Sequence, residues 1–239
     1  MKTKLIIIIN LLVSSLYAQQ SAICTYKLIP KIGSFKINEA DDNNTKYAKD
    51  LMLKATVVAK EYDYTLKFNK MESSSQISES MANDGENKYL NSIAKAVIGK
   101  GSFYQNKLLK ITLWQTNVLG ELYLVKDSLV NDWEISSESK KIGNYTCYKA
   151  VKQCSSCSSI NKVWFTPEIP VPFGPLGYGG LPGLIISVVK KNTVLQLERI
   201  KFYDKPLVIE KPNKGKGIVR AEYDMITSSI RNNAKKMED

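Results

Sequence analysis

Residues 164–185 read WFTPEIPVPFGPLGYGGLPGLI, and they hold five of the eight prolines and five of the thirteen glycines of the chain. Proline fixes the backbone angle φ and lacks an N–H donor, whereas glycine reaches positive φ and lets two backbones approach closely. Apolar and aromatic residues fill the positions between them, which is not typical of a solvated loop. The stretch therefore predicts a stiff segment with a defined path that ends in a strand. We call residues 167–183 the Pro/Gly segment.

Residues 180–185, Gly-Leu-Pro-Gly-Leu-Ile, look like the signature of the GLPGLI family of exported Bacteroidetes proteins, and the chain resembles that family over most of its length. Further blocks that resemble the family lie at 64–74 (YTLKFN followed by ESS), 143–150 (GNYTCYKA) and 164–175. The resemblance implies export, but it implies no activity and no catalytic residues. The motif Cys154-Ser155-Ser156-Cys157 departs from the family pattern.

The first residues predict a secretory signal peptide. A basic start with Lys2 and Lys4 precedes an apolar run over 5–13 and a cleavage region that ends at Ala18. Residues 1–18 are therefore predicted to be removed, and 19–239 to form a single domain in the periplasm or outside the cell. Lipidation of Cys24 is left open, because the residues before it form a poor lipoprotein box. No later run reaches the ~18 apolar residues of a membrane helix.

The charge and composition exclude several classes of function. The formal net charge of +11 favours acidic partners such as anionic lipid, lipopolysaccharide phosphate or acidic peptide. Arginine is scarce and export is expected, so nucleic acid is not predicted as a partner. The chain has no histidine, which excludes Ser-His-Asp hydrolysis, Cys-His nucleophiles and histidine-ligated zinc. No cofactor and no metal are expected.

Alternating apolar and polar residues predict strands through most of the chain. The predicted strands cover 24–28, 62–68, 108–115, 119–126, 132–136, 145–152, 162–166, 184–189 and 194–203. Amphipathic helices are expected after the capping residues 41–45 and over 219–237. Residues 73–88 are interpreted as a long polar loop and 211–216 as a basic linker.

These elements predict an α+β fold, in which a curved, half-barrel-like antiparallel sheet is covered by an N-terminal and a C-terminal helix. By analogy at the level of the fold alone, this is similar to the half-barrels of periplasmic lipoprotein carriers.

Four cysteines in an exported chain predict disulfides. The favoured pairing joins Cys154 to Cys157 at a hairpin tip and Cys24 to Cys147 between the first strand and the sheet, and the other connectivities stay open. A redox pair is the alternative for the Cys-x-x-Cys motif, but a hairpin tip lacks the helix N-terminus that lowers a thiol pKa. A four-cysteine zinc site has the required spacing on one side only.

Two interpretations of the Pro/Gly segment stay open. It is either a rigid crossover whose apolar residues belong to the core, or a preformed apolar cleft at which glycines let a ligand approach the backbone. The candidate ligand-binding residues are Trp164, Phe165, Phe173, Tyr178, Gly180, Leu181, Pro182 and Gly183.

The favoured function is a non-enzymatic binding or carrier module of the bacterial envelope, for an apolar or amphipathic ligand or a peptide segment. Its partners would be that ligand or an outer-membrane protein, without a transmembrane helix of its own. A thiol redox protein or a histidine-free envelope hydrolase is one alternative, and a structural envelope-assembly protein is another.

Overall fold

The computed structural model describes residues 21–31, 33, 35–78, 87–129, 132–153 and 160–236. The predicted signal peptide and the predicted Cys154–Cys157 bond lie outside these residues. The strands are β1 Ser21–Pro30, β2 Tyr64–Phe68, β3 Glu72–Ile77, β4 Ser102–Asn106, β5 Ile111–Val118, β6 Glu121–Ser128, β7 Glu134–Ile142, β8 Tyr145–Gln153, β9 Ile160–Thr166, β10 Leu184–Val189, β11 Thr193–Tyr203 and β12 Lys216–Val219. The helices are α1 Asn43–Ala59, α2 Lys88–Ile98 and α3 Arg220–Lys236, with a 3₁₀ turn at Pro175–Gly177.

The twelve strands form one sheet in the order β12-β6-β5-β4-β3-β2-β1-β11-β10-β9-β8-β7. Every neighbouring pair is antiparallel except β12 and β6, which run parallel. Strands β12 and β7 lie at the two ends of this order, so the sheet is not closed in the described part of the chain. The predicted α+β class with an antiparallel sheet is confirmed.

Strand β1 lies in the middle of the sheet, although it comes first in the described chain. It pairs with β2 on one side and with the whole length of β11 on the other, from Ser21 opposite Tyr203 to Pro30 opposite Thr193. The first and last long strands therefore meet at the centre, and the two halves of the sheet extend from them.

The main hydrophobic core joins β1 and β2 to β9, β10 and the Pro/Gly segment. The buried tyrosine Tyr26 donates its hydroxyl proton to the carbonyl of Ile185 at 2.7 Å. The hydroxyl of buried Tyr64 accepts from the backbone N–H of Leu176 at 3.0 Å. These bonds tie the Pro/Gly segment, and the strand β10 that follows it, to the central strands.

The Pro/Gly segment folds back on itself before it enters β10. The N–H groups of Gly180, Leu184 and Ile185 donate to the carbonyls of Pro172, Ile169 and Phe173 at 2.9–3.0 Å. Such cross-bonds satisfy backbone groups that would otherwise be buried without partners. The prediction of a defined path that ends in a strand is therefore confirmed.

The predicted polar loop over 73–88 is wrong in part. Strand β3 and the first residue of α2 fall inside it, and the buried side chains of β3 are serines rather than apolar residues. Ser75 Oγ lies 3.2 Å from the hydroxyl of Tyr64, and Ser73 donates to Gln105 Oε1 at 3.3 Å. These partners make a serine strand stable in the core, and no hydrophobic pattern reveals it.

The helices are only partly as predicted. Helix α1 begins where the capping pattern predicts it, because Asp42 Oδ1 accepts from the N–H of Thr45 at 2.9 Å. Helices α1 and α2 pack against each other, and Ala59, Ala94 and Ile98 belong to the main core. Helix α2 and strand β4 were not predicted, and neither was β12, which continues from the predicted linker. None of the described helices is long and apolar enough to span a membrane.

We predict that Gly183→Ala destabilises the protein by about 2–3 kcal/mol. A Cβ at this position would lie 2.1 Å from the Thr166 carbonyl oxygen and 2.6 Å from its carbon, and backbone atoms cannot move aside cheaply. Chemical denaturation measures the change. Gly217→Ala is the matched control, because nothing lies within 4 Å of its added Cβ, and we expect a change within about 0.5 kcal/mol. Equal stability of the two variants would contradict the prediction.

Candidate functional site

The candidate site is a cleft of about 520 Å³ between strands β4–β6 and the Pro/Gly segment. Its lining comes from both halves of the sheet and from the beginning of α3. The lining residues are Gly99, Lys100, Phe103, Thr112, Trp114, Val125, Asp127, Ser128, Leu129, Asp132, Trp133, Lys152, Leu176, Gly177, Tyr178, Gly179, Lys190, Arg220 and Asp224.

The cleft exists because the sheet bends. Trp114 on β5 and Lys152 on β8 line the same cleft, although β8 is eight places from β5 in the strand order. At about 4.8 Å per strand, a flat sheet would hold these strands roughly 38 Å apart. The Pro/Gly segment lies in the space between the two halves and supplies one wall.

One wall of the cleft is aromatic. The rings of Phe103 and Trp114 stack with an interplanar angle of 4° and centroids 5.4 Å apart. Tyr223 on α3 meets Trp114 edge-on at 4.7 Å, and the guanidinium of Arg220 lies 5.6 Å from the Trp114 ring centroid. The indole N–H of Trp114 donates to the carbonyl of Lys100 at 3.0 Å. The ring contacts and this hydrogen bond together fix the orientation of the indole.

The opposite wall is built by the Pro/Gly segment. Trp133 donates its indole N–H to the Gly179 carbonyl at 2.9 Å, and its ring lies 6.1 Å from that of Tyr178. Gln105 Nε2 donates to the carbonyl of Gly177 at 2.9 Å. Gly177 has φ of +73°, and a Cβ there would lie 2.6 Å from the Phe103 ring. Only glycine lets this wall approach the aromatic one so closely.

Two ion pairs lie along the cleft. Lys152 Nζ is 2.6 Å from Asp132 Oδ1, and Arg220 Nε is 3.1 Å from Asp224 Oδ1. All four side chains are at least a quarter exposed, so the pairs contribute little to stability. Their effect is to hold two cationic and two anionic groups at fixed places on the lining.

Lys190 differs from the other charged residues of the cleft, because its ammonium is hydrogen-bonded to backbone carbonyls. Its ammonium donates to the carbonyls of Val97 and Ile98 at 3.2 and 2.5 Å, at the carboxyl end of α2, where the helix dipole favours a cation. No carboxylate lies within 4.0 Å of this nitrogen in the described part of the chain. Burial lowers the pKa of Lys190 to about 8. An ammonium has three donors, and these two carbonyls account for two of them.

Of the eight predicted ligand-binding residues, the structure places one, Tyr178, on the cleft. Trp164, Phe165, Phe173 and Leu181 are buried in the main core. Gly180, Pro182 and Gly183 lie in the same segment but outside the lining. The role of these seven in ligand binding stays a prediction, while their positions fit the crossover interpretation.

Sequence reasoning missed most of the cleft. Phe103, Trp114, Lys190 and Arg220 come from four separate parts of the chain and meet only because the sheet bends. Trp114 stood in a predicted strand, and Arg220 in a predicted helix. A tryptophan on an amphipathic strand is most often core, so its pattern carried no functional signal.

The predicted Cys24–Cys147 disulfide is not formed. Both cysteines are buried free thiols, and three strands lie between β1 and β8 in the order of the sheet. Burial raises the pKa of Cys147 to about 11 and raises that of Cys24 further. Thiols of this kind are poor nucleophiles, because the thiolate is the reactive form.

The described residues contain no group of three or more cysteine, aspartate or glutamate side chains placed to hold a metal ion.

Residues 153–187 match the model of a family of proteins of unknown function called Porph_ging. This range contains the Pro/Gly segment and residues 180–185, so the stretch fits an uncharacterised Bacteroidetes-type family, although the match does not carry the GLPGLI name. The sequence matches none of the curated proteins with which it was compared.

The fold is similar to that of a protein called PNGF-II, solved in C2 and P21 crystal forms. Both comparisons have a TM-score of 0.53, with 17% and 18% sequence identity, and both cover 85% of this chain and 32% of that one. At this identity the likeness shows the fold alone. The chain spans about a third of the length of PNGF-II.

We predict that replacing Lys190 changes how stability depends on pH. The folded pKa of about 8 lies below the value of about 10.4 in an unfolded chain. Between these values the unfolded chain binds more protons at this site, so the wild type gains stability as the pH rises from 8 to 10.4. The gain in the free energy of unfolding is at most about 3 kcal/mol, which corresponds to the full difference between these two pKa values. The two carbonyl acceptors favour the ammonium and therefore act against a larger gain.

Urea unfolding of the wild type and Lys190→Met between pH 7 and 10 checks this prediction. The difference between the two proteins isolates Lys190 from tyrosines and thiols, which titrate in the same range in both. Parallel stability curves would contradict it.

We predict that Cys24 and Cys147 resist alkylation in the native protein. Iodoacetamide followed by peptide mass spectrometry should leave both unmodified, because they are buried and their thiols have raised pKa values. Both should react once the protein is unfolded in urea, which serves as the control. Rapid native labelling of either thiol would show that it is accessible and would revive a redox role for it.

Proposed function

We propose that this protein is an exported, non-enzymatic binding or carrier module that holds an amphipathic ligand or an extended peptide segment in the cleft. The observation that carries the proposal is that the Phe103–Trp114 stack and the ammonium of Lys190 line one cleft, with no described carboxylate within 4.0 Å of that nitrogen. An aromatic wall binds an apolar chain or ring, and a half-buried cation binds an anionic or carbonyl group at one end of it.

The size and rigidity of the cleft support this proposal. About 520 Å³ falls within the range of roughly 300–1,000 Å³ that is usual for ligand sites. The Pro/Gly segment is tied down by backbone bonds and by Gln105 and Trp133, so its wall is formed before a ligand arrives. A preformed wall loses little conformational entropy on binding.

The shape of the sheet and the placement of α3 are part of the same proposal. The bent sheet acts as a half-barrel-like surface around the Pro/Gly segment, and α3 covers the cleft at Trp114 through Tyr223 and Arg220. The predicted signal peptide and the net charge of +11 support a place in the periplasm or outside the cell. There an outer-membrane protein would be the partner that delivers or receives the ligand.

A histidine-free hydrolase is the second candidate, favoured by the lowered pKa of Lys190. A lysine with a pKa near 8 can act as a base or nucleophile. Two of its donors face the carbonyls of Val97 and Ile98, however, and this holds the nitrogen as an ammonium. The thiol redox alternative has no support from the two described cysteines, which are buried. A structural assembly role would leave the cleft empty.

Titration with two fluorescent probes tests the proposal. Anilinonaphthalene sulfonate is an anionic amphipath, and N-phenyl-naphthylamine is its neutral relative. We predict that the mature protein binds both, and that Trp114→Ala weakens binding of both about tenfold because the aromatic wall is lost. Lys190→Met should weaken only the anionic probe, since it keeps the apolar stem and removes the charge.

Tyr47→Ala is the matched control, because Tyr47 is 67% exposed on α1 and does not line the cleft. Circular dichroism and thermal melting confirm that each variant is folded. If the wild type binds neither probe, or if Trp114→Ala binds them as the wild type does, the cleft is not the site.

A further inference from the structure

A cluster of exposed apolar side chains lies away from the cleft, at one end of the sheet. Met71 is in the β2–β3 turn, Leu108 and Leu109 are in the β4–β5 turn, and Val208 follows β11. Their side chains are 42%, 70%, 62% and 90% exposed. We call these four residues the turn patch.

The pairing of β3 with β4 and two hydrogen bonds show that the turn patch is one surface. Strand β3 begins beside the end of β4, with Glu72 opposite Asn106, so both turns leave the sheet at the same end. The N–H of Lys107 donates to the Met71 carbonyl at 2.8 Å and joins the turns directly. The Asn69 side chain donates to the carbonyl of Leu207 at 3.0 Å and places Val208 next to them.

The exposure of these side chains is not the result of poor packing around them. Leu207 and Ile209, on either side of Val208, pack with Tyr104 and Leu113 in a second, smaller core. The N–H of Leu109 donates to Asn106 Oδ1 at 2.9 Å, which fixes the β4–β5 turn. The fold therefore holds these apolar groups in water while their neighbours are buried.

Lysines surround the apolar groups. Residues 69–71 and 107–110 contain Lys70, Lys107 and Lys110 and no acidic residue, and all three lysines are exposed. Glu72 accepts from the Tyr104 hydroxyl and from Asn106 Nδ2. The segment that carries Val208 also contains the exposed carboxylates of Asp204 and Glu210. The two turns thus present apolar side chains flanked by lysines, and the charge of these turns matches an anionic surface.

We propose that the turn patch docks the protein on an anionic lipid surface, with Leu108 and Leu109 inserted among the acyl chains and the lysines at the phosphates. Two protruding turns fit a deformable layer better than they fit a concave ligand site. Four side chains are also far fewer than the 20–30 residues that each side of a stable protein interface uses. Insertion of a few apolar groups plus several lysines is a recognised way to bind membranes.

Vesicle co-sedimentation of the mature protein tests this proposal. We expect binding to vesicles of phosphatidylglycerol and phosphatidylcholine, little binding to phosphatidylcholine alone, and weaker binding at high salt. The pair Leu108→Asp and Leu109→Asp should reduce binding at least tenfold. The pair Lys107→Gln and Lys110→Gln should reduce it about 25-fold, from roughly fivefold for each lysine near the surface.

Leu119→Asp is the matched control. Leu119 is 84% exposed in the β5–β6 turn, which lies at the opposite end of β5, and we expect it to bind like the wild type. Lys141→Gln, an exposed position on β7 at the far end of the strand order, controls for the loss of charge elsewhere. The lysine variants keep the leucines, so the test stands even if the aspartate pair folds poorly by circular dichroism.

Three outcomes would overturn the proposal. The wild type could fail to bind anionic vesicles, the patch variants could bind as the controls do, or phosphatidylcholine alone could bind equally well. Analytical ultracentrifugation adds a fourth. If the wild type is a dimer that the aspartate pair makes monomeric, the turn patch is a protein interface instead. Because the turn patch lies outside the cleft, failure here leaves the cleft proposal unaffected.

Discussion

The buried hydroxyls of Tyr26 and Tyr64 connect the central strands to β10 and to the Pro/Gly segment that precedes it, and the rest of the site depends on this connection. A segment without regular structure enters the core only if its backbone groups find partners, because a buried unpaired group costs about 1–3 kcal/mol. Tyr26 donates to the Ile185 carbonyl and Tyr64 accepts from Leu176. Among the described residues, no buried side-chain nitrogen or oxygen lacks a partner.

The sequence predicted the elements that follow a local rule. Strand β10 was predicted at its observed bounds, β8, β9 and β11 within two residues of theirs, and Asp42 caps α1 as its pattern indicates. Strand β3 could not be found in this way, because its buried face presents serines whose partners, Tyr64 and Gln105, come from other strands. Whether a polar strand is stable in a core depends on those distant partners, and no local pattern contains them.

The cleft could not be predicted from the sequence for a similar reason. The unusual composition of residues 164–185 drew attention to the Pro/Gly segment as a site, yet most of its apolar side chains are core. The segment contributes Tyr178 and several backbone groups to the cleft, while the aromatic wall comes from Phe103 and Trp114 on the far half of the sheet. Its rigidity was predictable from proline and glycine, but what faces it depends on the bend of the sheet.

Strand β5 connects the two proposed surfaces. It begins at Ile111, directly after the turn that carries Leu108 and Leu109, and Trp114 lies three residues further on in the cleft wall. Three residues of strand span about 10 Å. The N–H of Leu129, a lining residue, also donates to the carbonyl of Lys110 at 2.9 Å, which joins the cleft lining to the β4–β5 turn. A protein docked through the turn patch would hold its cleft close to the lipid surface, because β5 leads from the β4–β5 turn to Trp114. A short path of this kind suits an amphipathic ligand, because such a ligand crosses open water only at a cost that rises with its apolar area.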